Sequence, residues 1–255
     1  MLKKSTFKYI LRWRRQGSDF NADRLKHGLF ASVGRCNRLK VLIYPESTRP
    51  AVRLSLLAIV ALSWVLYPSH FVWGVDSVET LVFLRHGEKP SRGLGQLECK
   101  GLNRALALPA VLTTRFDKPV AIFAPDPAKK KQDGDTLYSY VRPLATIEPT
   151  AIRLELPVNT DFGFDDKESL EAALQVAAYR NGTVFIAWEH SMIRAIARDL
   201  LIAHGADPSL VKEWTSGDFD SIYIVTLTWA GDRAEASFGI DSEGLNGLGS
   251  SCPTH

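Results

Sequence analysis

The sequence predicts an α/β protein: a three-layer α/β/α sandwich with a mainly parallel sheet, preceded by a single membrane-spanning or signal helix. Short apolar runs alternate with amphipathic helical segments from Ser77 onward, and two of these runs end in a histidine. Strands interleaved with helices form parallel sheets that are covered on both faces. The leading helix is predicted by an uncharged apolar stretch at residues 54–75.

The first 53 residues are strongly basic. They carry 13 Lys and Arg against three Asp and Glu, a net charge of +10, whereas residues 54–255 carry 18 against 25, a net charge of −7. Non-specific nucleic-acid binding needs clustered basic residues, so the acidic body argues against a nucleic-acid partner. The tail is expected to be disordered, a misassigned extension of the chain, or a contact for anionic lipid head groups.

Residues 54–75 form a stretch of 22 residues without Asp, Glu, Lys or Arg. As a helix it would span about 33 Å, close to the roughly 30 Å of a bilayer core. Arg49 and Arg53 precede it directly, which predicts a cytoplasmic tail and a periplasmic or secreted body. A signal anchor, a cleaved signal peptide and a true start near Val52 all remain open. The expected order is tail 1–53, anchor or signal 54–75, main domain 77–245 and C-terminal tail 246–255.

Two cysteines, Cys99 and Cys252, lie in the exported body. In an oxidising compartment they can form a disulfide that ties the C-terminal tail to the start of the domain, or they can be two free thiols. The sequence does not decide between these alternatives. Cys and His residues nowhere show the spacing of a zinc site, so neither a metal nor a cofactor is expected.

The elements of the body follow in order along the chain. Short apolar runs predict strands at 80–84, 120–124 and 183–188. Helical periodicity predicts helices at 102–116 with a kink or break at Pro109, partly at 140–154, and at 168–179 and 191–204. Residues 221–229 and 233–240 alternate like a hairpin. The basic run KKKQDGD at 129–135 is expected to be a solvated loop, with steering of an anionic substrate as the alternative.

Polar side chains follow two of these strands. Arg85 and His86 end the first in LVFLRHGEKP, His190 ends the third in VFIAWEH, and Arg142 opens a helical segment in YVRPLATIEPTA. The carboxyl ends of parallel strands share one edge, so these side chains are expected to converge. Two guanidiniums match phosphate oxygens, a neutral imidazole can attack phosphorus, and a second histidine can hold an oxygen. Gly87 would allow a ligand to approach the backbone closely.

Through these motifs the body resembles the histidine phosphatase superfamily, which has the phosphoglycerate mutase-like fold. The segment LECKGLNRALAL at residues 97–108 is similar to the start of that family's first helix. The resemblance implies that residues 77–245 are a catalytic domain acting on a phosphorylated small molecule. It further implies that His86 is the phosphorylated nucleophile and that Arg85, Arg142 and His190 bind the phosphoryl group.

The proton donor is not settled by the resemblance. Where the mutase branch has a catalytic glutamate shortly before an FG pair, this chain has Asn159, with Asp161 nearby. The acid branch has an aspartate directly after its second histidine, but Ser191 stands there. Glu88 and Glu189 are therefore the first candidates and Asp161 the third. Orientation of a neighbouring cation by Glu88 and a structural role for Glu189 are the alternatives.

The expected function is that of an exported or membrane-anchored, metal-independent phosphatase that forms a phosphohistidine on His86. An alternative of a different class is a catalytically inactive protein of the cell envelope that binds a phosphorylated ligand or serves as a scaffold. Transfer of the phosphoryl group to a second acceptor is a third hypothesis. The physiological substrate and the oligomeric state are not predicted.

Overall fold

The computed structural model describes residues 77–254 of the 255-residue chain. The predictions for the basic tail and for the apolar stretch at 54–75 fall outside these residues. Within the described part, no helix combines the length and the apolar character needed to cross a membrane.

The described chain alternates strands with helices for most of its length. The strands are β1 (Ser77–Arg85), β2 (Ala121–Phe123), β3 (Lys130–Asp133), β4 (Thr136–Ser139), β5 (Val158–Asn159), β6 (Thr183–Trp188), β7 (Ser221–Ala230) and β8 (Arg233–Ser242). The helices are α1 (Cys99–Arg115), α2 (Arg142–Leu154), α3 (Lys167–Leu174) and α4 (His190–Ala203).

The main sheet has six strands in the order β5-β2-β6-β1-β7-β8. Strands β5, β2, β6 and β1 are parallel, whereas β7 runs antiparallel to β1 and β8 antiparallel to β7. The sheet is therefore mixed but mainly parallel, as predicted, since three of its five strand pairings are parallel. The hairpin turn Gly231-Asp232 reverses the chain, and Gly231 has a φ of +64° that suits glycine.

The two central strands bury both of their faces, which explains their unbroken apolar runs. Along β1, Leu81 and Phe83 face one core together with α3 and α4, while Val82 and Leu84 face a second core together with α1 and α2. This alternation follows the two-residue period of a strand. The result is three layers, with the sheet between two pairs of helices.

Several elements differ from the sequence prediction. Helix α1 continues through Pro109 without a break. The predicted helix at 168–179 ends at Leu174, and a short 3₁₀ turn at Ala177–Tyr179 follows. The run at 129–135 is not a loop: β3 and β4 pair as a separate antiparallel hairpin. The short strand β5 was not predicted.

The C-terminal segment lies along the start of α1. A disulfide joins Cys99, the first residue of that helix, to Cys252, with the two Cα atoms 4.5 Å apart. Asn103 Nδ2 donates hydrogen bonds to the carbonyl oxygens of Gly249 and Ser251, at 2.9 and 2.8 Å. The segment is thus joined to the helix by one covalent and two hydrogen bonds.

Candidate active site

The predicted site residues meet at the carboxyl edge of the parallel strands. Arg85, the last residue of β1, is opposite Trp188, the last residue of β6, and the His86 amide continues the ladder with a 3.0 Å hydrogen bond to the Trp188 carbonyl. Helix α4 begins at His190 and α2 at Arg142. The amino ends of both helices carry partial positive charge, which favours an anion near this edge.

The His86 side chain is buried and neutral. Its Nδ1 lies 2.8 Å from the Gly87 carbonyl oxygen. A carbonyl only accepts, so the proton is on Nδ1 and Nε2 keeps its lone pair. The pKa of His86 falls to about 3, chiefly because burial disfavours the imidazolium; Arg142 and Arg85 lower it further, against the opposing effect of the Gly87 bond. Nε2 therefore keeps an unprotonated lone pair at neutral pH.

Gly87 packs closely against helix α1, and the close approach of a ligand to its backbone stays a prediction. A Cβ at Gly87 would lie 2.9 Å from the carbonyl oxygen of Gly101 in α1. Its amide donates to Thr146 Oγ1 at 2.9 Å, and this hydroxyl donates to the Arg142 carbonyl at 2.8 Å. Because that amide is already bonded within the protein, it does not offer a donor to a phosphate. The contacts instead hold the His86 backbone against α1 and the first turn of α2.

Arg85 is buried, and the Nη1 end of its guanidinium is held by hydrogen bonds to the backbone. Nη1 donates to the carbonyl oxygens of Thr215, Ser216 and Asp218, at 3.3, 2.9 and 2.6 Å. The Phe219 ring covers the group, with Cζ 3.9 Å from the ring centre. Nε has no hydrogen-bond partner among residues 77–254. A fixed cation with a buried, unpaired donor is suited to binding an anion.

Arg142 has the same arrangement on the opposite side of the site. Its Nη1 is paired with Asp133 of the β3–β4 hairpin, which also accepts from Lys89 Nζ at 2.8 Å. Burial raises the pKa of Asp133, but the bonds from Lys89 and Arg142 outweigh it, so the pKa is lowered and the carboxylate is ionised. The buried Nε of Arg142 also has no aligned hydrogen-bond partner within the described chain, although burial raises the pKa of Tyr140 and the nearby Arg142 guanidinium opposes that rise. The unpaired Nε–H groups of these two guanidiniums are buried, and both positive charges act on His86, whose pKa they lower.

The His190 side chain lies against the Glu189 carboxylate. His190 Nδ1 is 2.6 Å from Glu189 Oε1, close in distance although not aligned as a linear hydrogen bond. The Ser191 hydroxyl donates to the other carboxylate oxygen. Burial raises the pKa of Glu189, but His190 and Ser191 outweigh it and hold the pKa well below its usual range. The free site therefore contains Glu189 as a carboxylate.

Glu88 has a structural partner, which argues against our prediction that it donates a proton. Arg104 binds it in a bidentate manner, with Nε–Oε2 and Nη2–Oε1 distances of 3.0 and 2.8 Å. The same guanidinium donates to Glu243 at 2.6 Å and Asp220 at 3.1 Å. Burial raises the pKa of Glu88, but the hydrogen bonds and the charge of Arg104 outweigh this and lower the pKa overall. Glu88 is thus an ionised carboxylate that anchors the loop after His86 to α1.

The third candidate for the acid lies on the surface. Asp161 is exposed, its amide donates to Asn159 Oδ1 at 3.0 Å, and its carboxylate accepts from Asn159 Nδ2 at 3.1 Å. These bonds are those of a local Asx turn. Neither residue is among the groups that contact His86, so nothing in the geometry favours a role in proton transfer.

The site also has an aromatic and basic side, of which the sequence indicated only the basic run at 129–135 as an alternative to a solvated loop. The Tyr140 ring packs edge-on to the His86 ring, with centres 6.2 Å apart, and its buried hydroxyl lacks a partner among residues 77–254. Lys131 Nζ lies over the rings of Tyr140 and Phe164, at 4.7 and 5.0 Å. The sequence of β3 contained evidence for this side of the site. Side chains alternate between the two faces of a strand, so Lys131 and Asp133 lie on the face opposite Lys130.

Metal ligation was tested on the same residues. In the part of the chain from 77 to 254, no group of three or more His, Cys, Asp or Glu side chains is arranged to hold a metal ion.

Comparison with solved structures gives matches of low identity that span the described domain. A mycobacterial glucosyl-3-phosphoglycerate phosphatase with inorganic phosphate is 17% identical, with 63% of this chain and 95% of that chain covered and a TM-score of 0.44. Phosphoglycerate mutase from Plasmodium falciparum is 12% identical, with 70% and 99% covered and a TM-score of 0.43. A mutant phosphoserine phosphatase from Entamoeba histolytica, in complex with phosphoserine, is 13% identical, with 66% and 98% covered and a TM-score of 0.39.

These structures are members of the histidine phosphatase superfamily, the family that the sequence motifs predicted. No family model and no curated protein sequence matches the chain. Identities and TM-scores this low do not carry an activity from one protein to another. The function has to be inferred from the side chains of this chain.

Proposed function

We propose that the protein hydrolyses phosphate monoesters through a phosphohistidine intermediate on His86. One observation carries this proposal: a buried, neutral histidine whose Nε2 keeps its lone pair lies close enough to two buried guanidiniums for their charges to lower its pKa, and neither guanidinium has an aligned partner for its Nε–H among residues 77–254. Guanidinium donors fit phosphoryl oxygens and stay charged at any physiological pH. A site of this kind binds and stabilises phosphoryl charge without needing another charged group.

The reaction has two displacements. In the first, the Nε2 lone pair of His86 forms an N–P bond while the bond from phosphorus to the leaving alcohol breaks. In the second, water attacks phosphorus, the N–P bond breaks, and its electron pair returns to Nε2 as inorganic phosphate leaves. Arg85, Arg142 and His190 hold the equatorial oxygens through both steps.

We assign the proton transfers to Glu189. This carboxylate is ionised in the free site, but a bound phosphoryl dianion disfavours a second negative charge beside it and raises its pKa. Glu189 would then take up a proton on substrate binding and pass it to the leaving oxygen. It would recover a proton from the attacking water in the second displacement. The commitment of Glu88 to Arg104 supports this choice.

The location of the activity follows from two features. The apolar stretch at 54–75 supports a membrane anchor or an export signal, and the disulfide between Cys99 and Cys252 supports an oxidising compartment. We therefore place the catalytic domain on the extracytoplasmic side, attached to the membrane or secreted. Its substrate would be a phosphorylated small molecule of that compartment.

A second function is favoured by the state of the carboxylates. Of the three predicted acids, Glu88 is ionised and bound by Arg104, Glu189 is ionised beside His190 and Ser191, and Asp161 is on the surface. A site without a working acid would bind a phosphorylated ligand and turn it over poorly, as a binding or scaffold protein does. Transfer to an acceptor alcohol instead of water is a variant of the first proposal and would be read from the products.

The test is mass spectrometry of the full-length protein after rapid mixing with an aryl phosphate and quenching in alkali, because phosphohistidine is labile to acid. We expect a phosphate adduct in the wild type, none in His86→Ala, and an unchanged adduct in His204→Asn, a histidine bonded to Gln175 away from the site. Bound phosphate without adduct or turnover, in protein shown to be folded, would support the binding-protein alternative instead.

A further inference from the structure

Tyr140 carries a buried polar group for which the proposed reaction has no use so far. It lies two residues before Arg142, the first residue of α2, and only 1% of its surface is exposed. The amides of Val141 and Arg142 both donate to the Gly95 carbonyl at 3.1 Å, which fixes the backbone on the side of Tyr140 that leads to Arg142. Phe164 packs edge-on against the Tyr140 ring, with the ring centres 5.7 Å apart. The side chain is therefore held in place before any ligand binds.

The phenolic proton of Tyr140 has no acceptor in the part of the chain that the structure describes. The hydroxyl oxygen is fully buried, and a buried polar group without a partner is rare and costs stability. The Arg142 guanidinium is near, with Cζ 4.8 Å from the Tyr140 ring centre, and its charge opposes the rise in the pKa of Tyr140 that burial causes. A guanidinium only donates, so Arg142 cannot accept the phenolic proton. Since the Nε–H of Arg142 is also unpaired among residues 77–254, two neighbouring donors both lack an acceptor.

The charged groups around this hydroxyl are the same as those around the proposed nucleophile. The charges of Arg142, Glu189 and Arg85 act on the Tyr140 hydroxyl, and the same three charges act on the His86 imidazole. The two rings also pack edge-on, with their centres 6.2 Å apart. Because burial raises the pKa of Tyr140, the hydroxyl keeps its proton at neutral pH and can donate it in a hydrogen bond. An anion bound by the two guanidiniums would bring the missing acceptor to it.

We propose that the Tyr140 hydroxyl donates a hydrogen bond to the phosphoryl oxygen that Arg142 holds, and that Tyr140 is therefore a further catalytic residue. This inference rests on the proposed function and adds an uncharged donor to it, since two guanidiniums already match the charge of a phosphoryl dianion. The O–H bond of Tyr140 stays intact through both displacements, so no proton is transferred by this residue. The contact instead fixes the same oxygen while the bonds to phosphorus form and break.

The test removes the hydroxyl and keeps the ring. Tyr140→Phe leaves the ring that contacts Phe164 and Lys131 in place. The matched control is Tyr223→Phe, because Tyr223 is similarly buried but its hydroxyl donates to the Lys212 carbonyl at 3.1 Å. Three quantities are measured on the full-length wild type and both variants. They are the dissociation constant of inorganic phosphate by calorimetry, the rate of adduct formation with an aryl phosphate, and the melting temperature without phosphate.

We expect Tyr140→Phe to bind phosphate about tenfold to a hundredfold more weakly, the value of one hydrogen bond to a charged group, and to form the adduct more slowly. Because the lost hydroxyl has no partner in the free protein, this variant should melt at or above the wild-type temperature. Tyr223→Phe should behave in the opposite way, with a lower melting temperature and an unchanged affinity for phosphate.

Three results would overturn the proposal. One is an unchanged phosphate affinity in Tyr140→Phe. Another is weaker binding together with a lower melting temperature, which would mean that the hydroxyl supports the fold around Arg142 and does not contact the ligand. The third is a wild type that does not bind phosphate.

This proposal and the proposed function fail in different ways. If Tyr140→Phe weakens phosphate binding without loss of stability, but no phosphohistidine forms in the wild type, Tyr140 stands as a ligand of the phosphoryl group and hydrolysis is wrong. If the adduct forms at the same rate in the wild type and in Tyr140→Phe, and both bind phosphate equally, hydrolysis stands and the role of Tyr140 is wrong.

Discussion

The contact between Gly101 and the loop after His86 gives the sharpest prediction of the structure. A Cβ at Gly101 would lie 2.3 Å from the Glu88 carbonyl oxygen and 2.8 Å from the Glu88 amide nitrogen, whereas ordinary contact begins at 3.4 Å. Gly101→Ala must therefore separate the two backbones by about 1 Å. The 2.9 Å bond from the Glu98 amide to the Glu88 carbonyl lies in the same place.

Two effects of opposite sign contribute to the change in stability. Alanine is the better helix former by about 1 kcal/mol, which alone would stabilise α1. Overpacking costs about 1–3 kcal/mol, and loss of the Glu98 bond about 1 kcal/mol more. We expect a net loss of about 1–3 kcal/mol, or about 2–4 °C in melting temperature for each kcal/mol. A shift of about 1 Å in a nucleophile costs about a hundredfold in rate, so phosphohistidine formation should fall by that order.

Thermal unfolding and the rate of adduct formation would be measured on the full-length variant. Gly239→Ala is the control, because a Cβ there meets nothing within 4 Å. If Gly101→Ala melts at or above the wild-type temperature and forms the adduct at the wild-type rate, the backbones are not in tight contact. The reasoning that connects α1 to the position of His86 would then be refuted.

Two further predictions concern carboxyl groups. Glu189→Gln should lower the rate for alkyl phosphates by a factor of about 10²–10⁴ but much less for an aryl phosphate, whose leaving oxygen needs no proton; equal losses for both would exclude a role as acid. Burial raises the pKa of Glu79 to about 7, against the opposing bond from Trp229, so the folded chain retains a proton between pH 4.5 and 7 that the unfolded chain releases. The free energy of unfolding of the wild type should therefore fall relative to that of Glu79→Gln as the pH rises through that window. Urea unfolding of both proteins at the two ends of the window measures this, and a difference between them that does not change with pH would show that the assignment is wrong.

Strand ends were the part of the site that the sequence could predict. The buried runs that end in Arg85-His86 and in His190 could be recognised as strands from the local sequence alone. An apolar run of only five or six residues between polar segments favours a buried strand over a helix. Parallel pairing then brings their carboxyl ends to one edge. Arg142 was placed correctly at the start of a helix for the same local reason, with Pro143 at the next position.

The β3–β4 hairpin was missed because its strands do not alternate apolar with polar residues. Asp133 pairs with Thr136, so the two-residue turn is Gly134-Asp135, a common hairpin dipeptide, and Gly134 has the positive φ of 63° that such a turn uses. The prediction gave more weight to the three consecutive lysines of the run at 129–135 than to this turn, and the run was therefore expected to be a solvated loop. The hairpin is held instead by Asp133, whose partners Lys89 and Arg142 lie 44 and nine residues away. Contacts at those separations leave no local pattern.

The same limit explains why the sequence could not exclude Glu88, which stood with Glu189 as a first candidate for the acid. Its position two residues after the nucleophile is a matter of sequence, but its protonation state depends on Arg104, which also binds Asp220 and Glu243 from 116 and 139 residues away. An arginine on the apolar face of α1, between Gly101 and Leu108, was a sign that a buried anion must exist, since an unpaired buried charge is strongly disfavoured. The sequence did not show which carboxylate pairs with Arg104. The protonation state of a carboxyl group therefore depends on partners that are distant in the sequence, and we propose Glu189 as the acid because Glu88 is bound by Arg104.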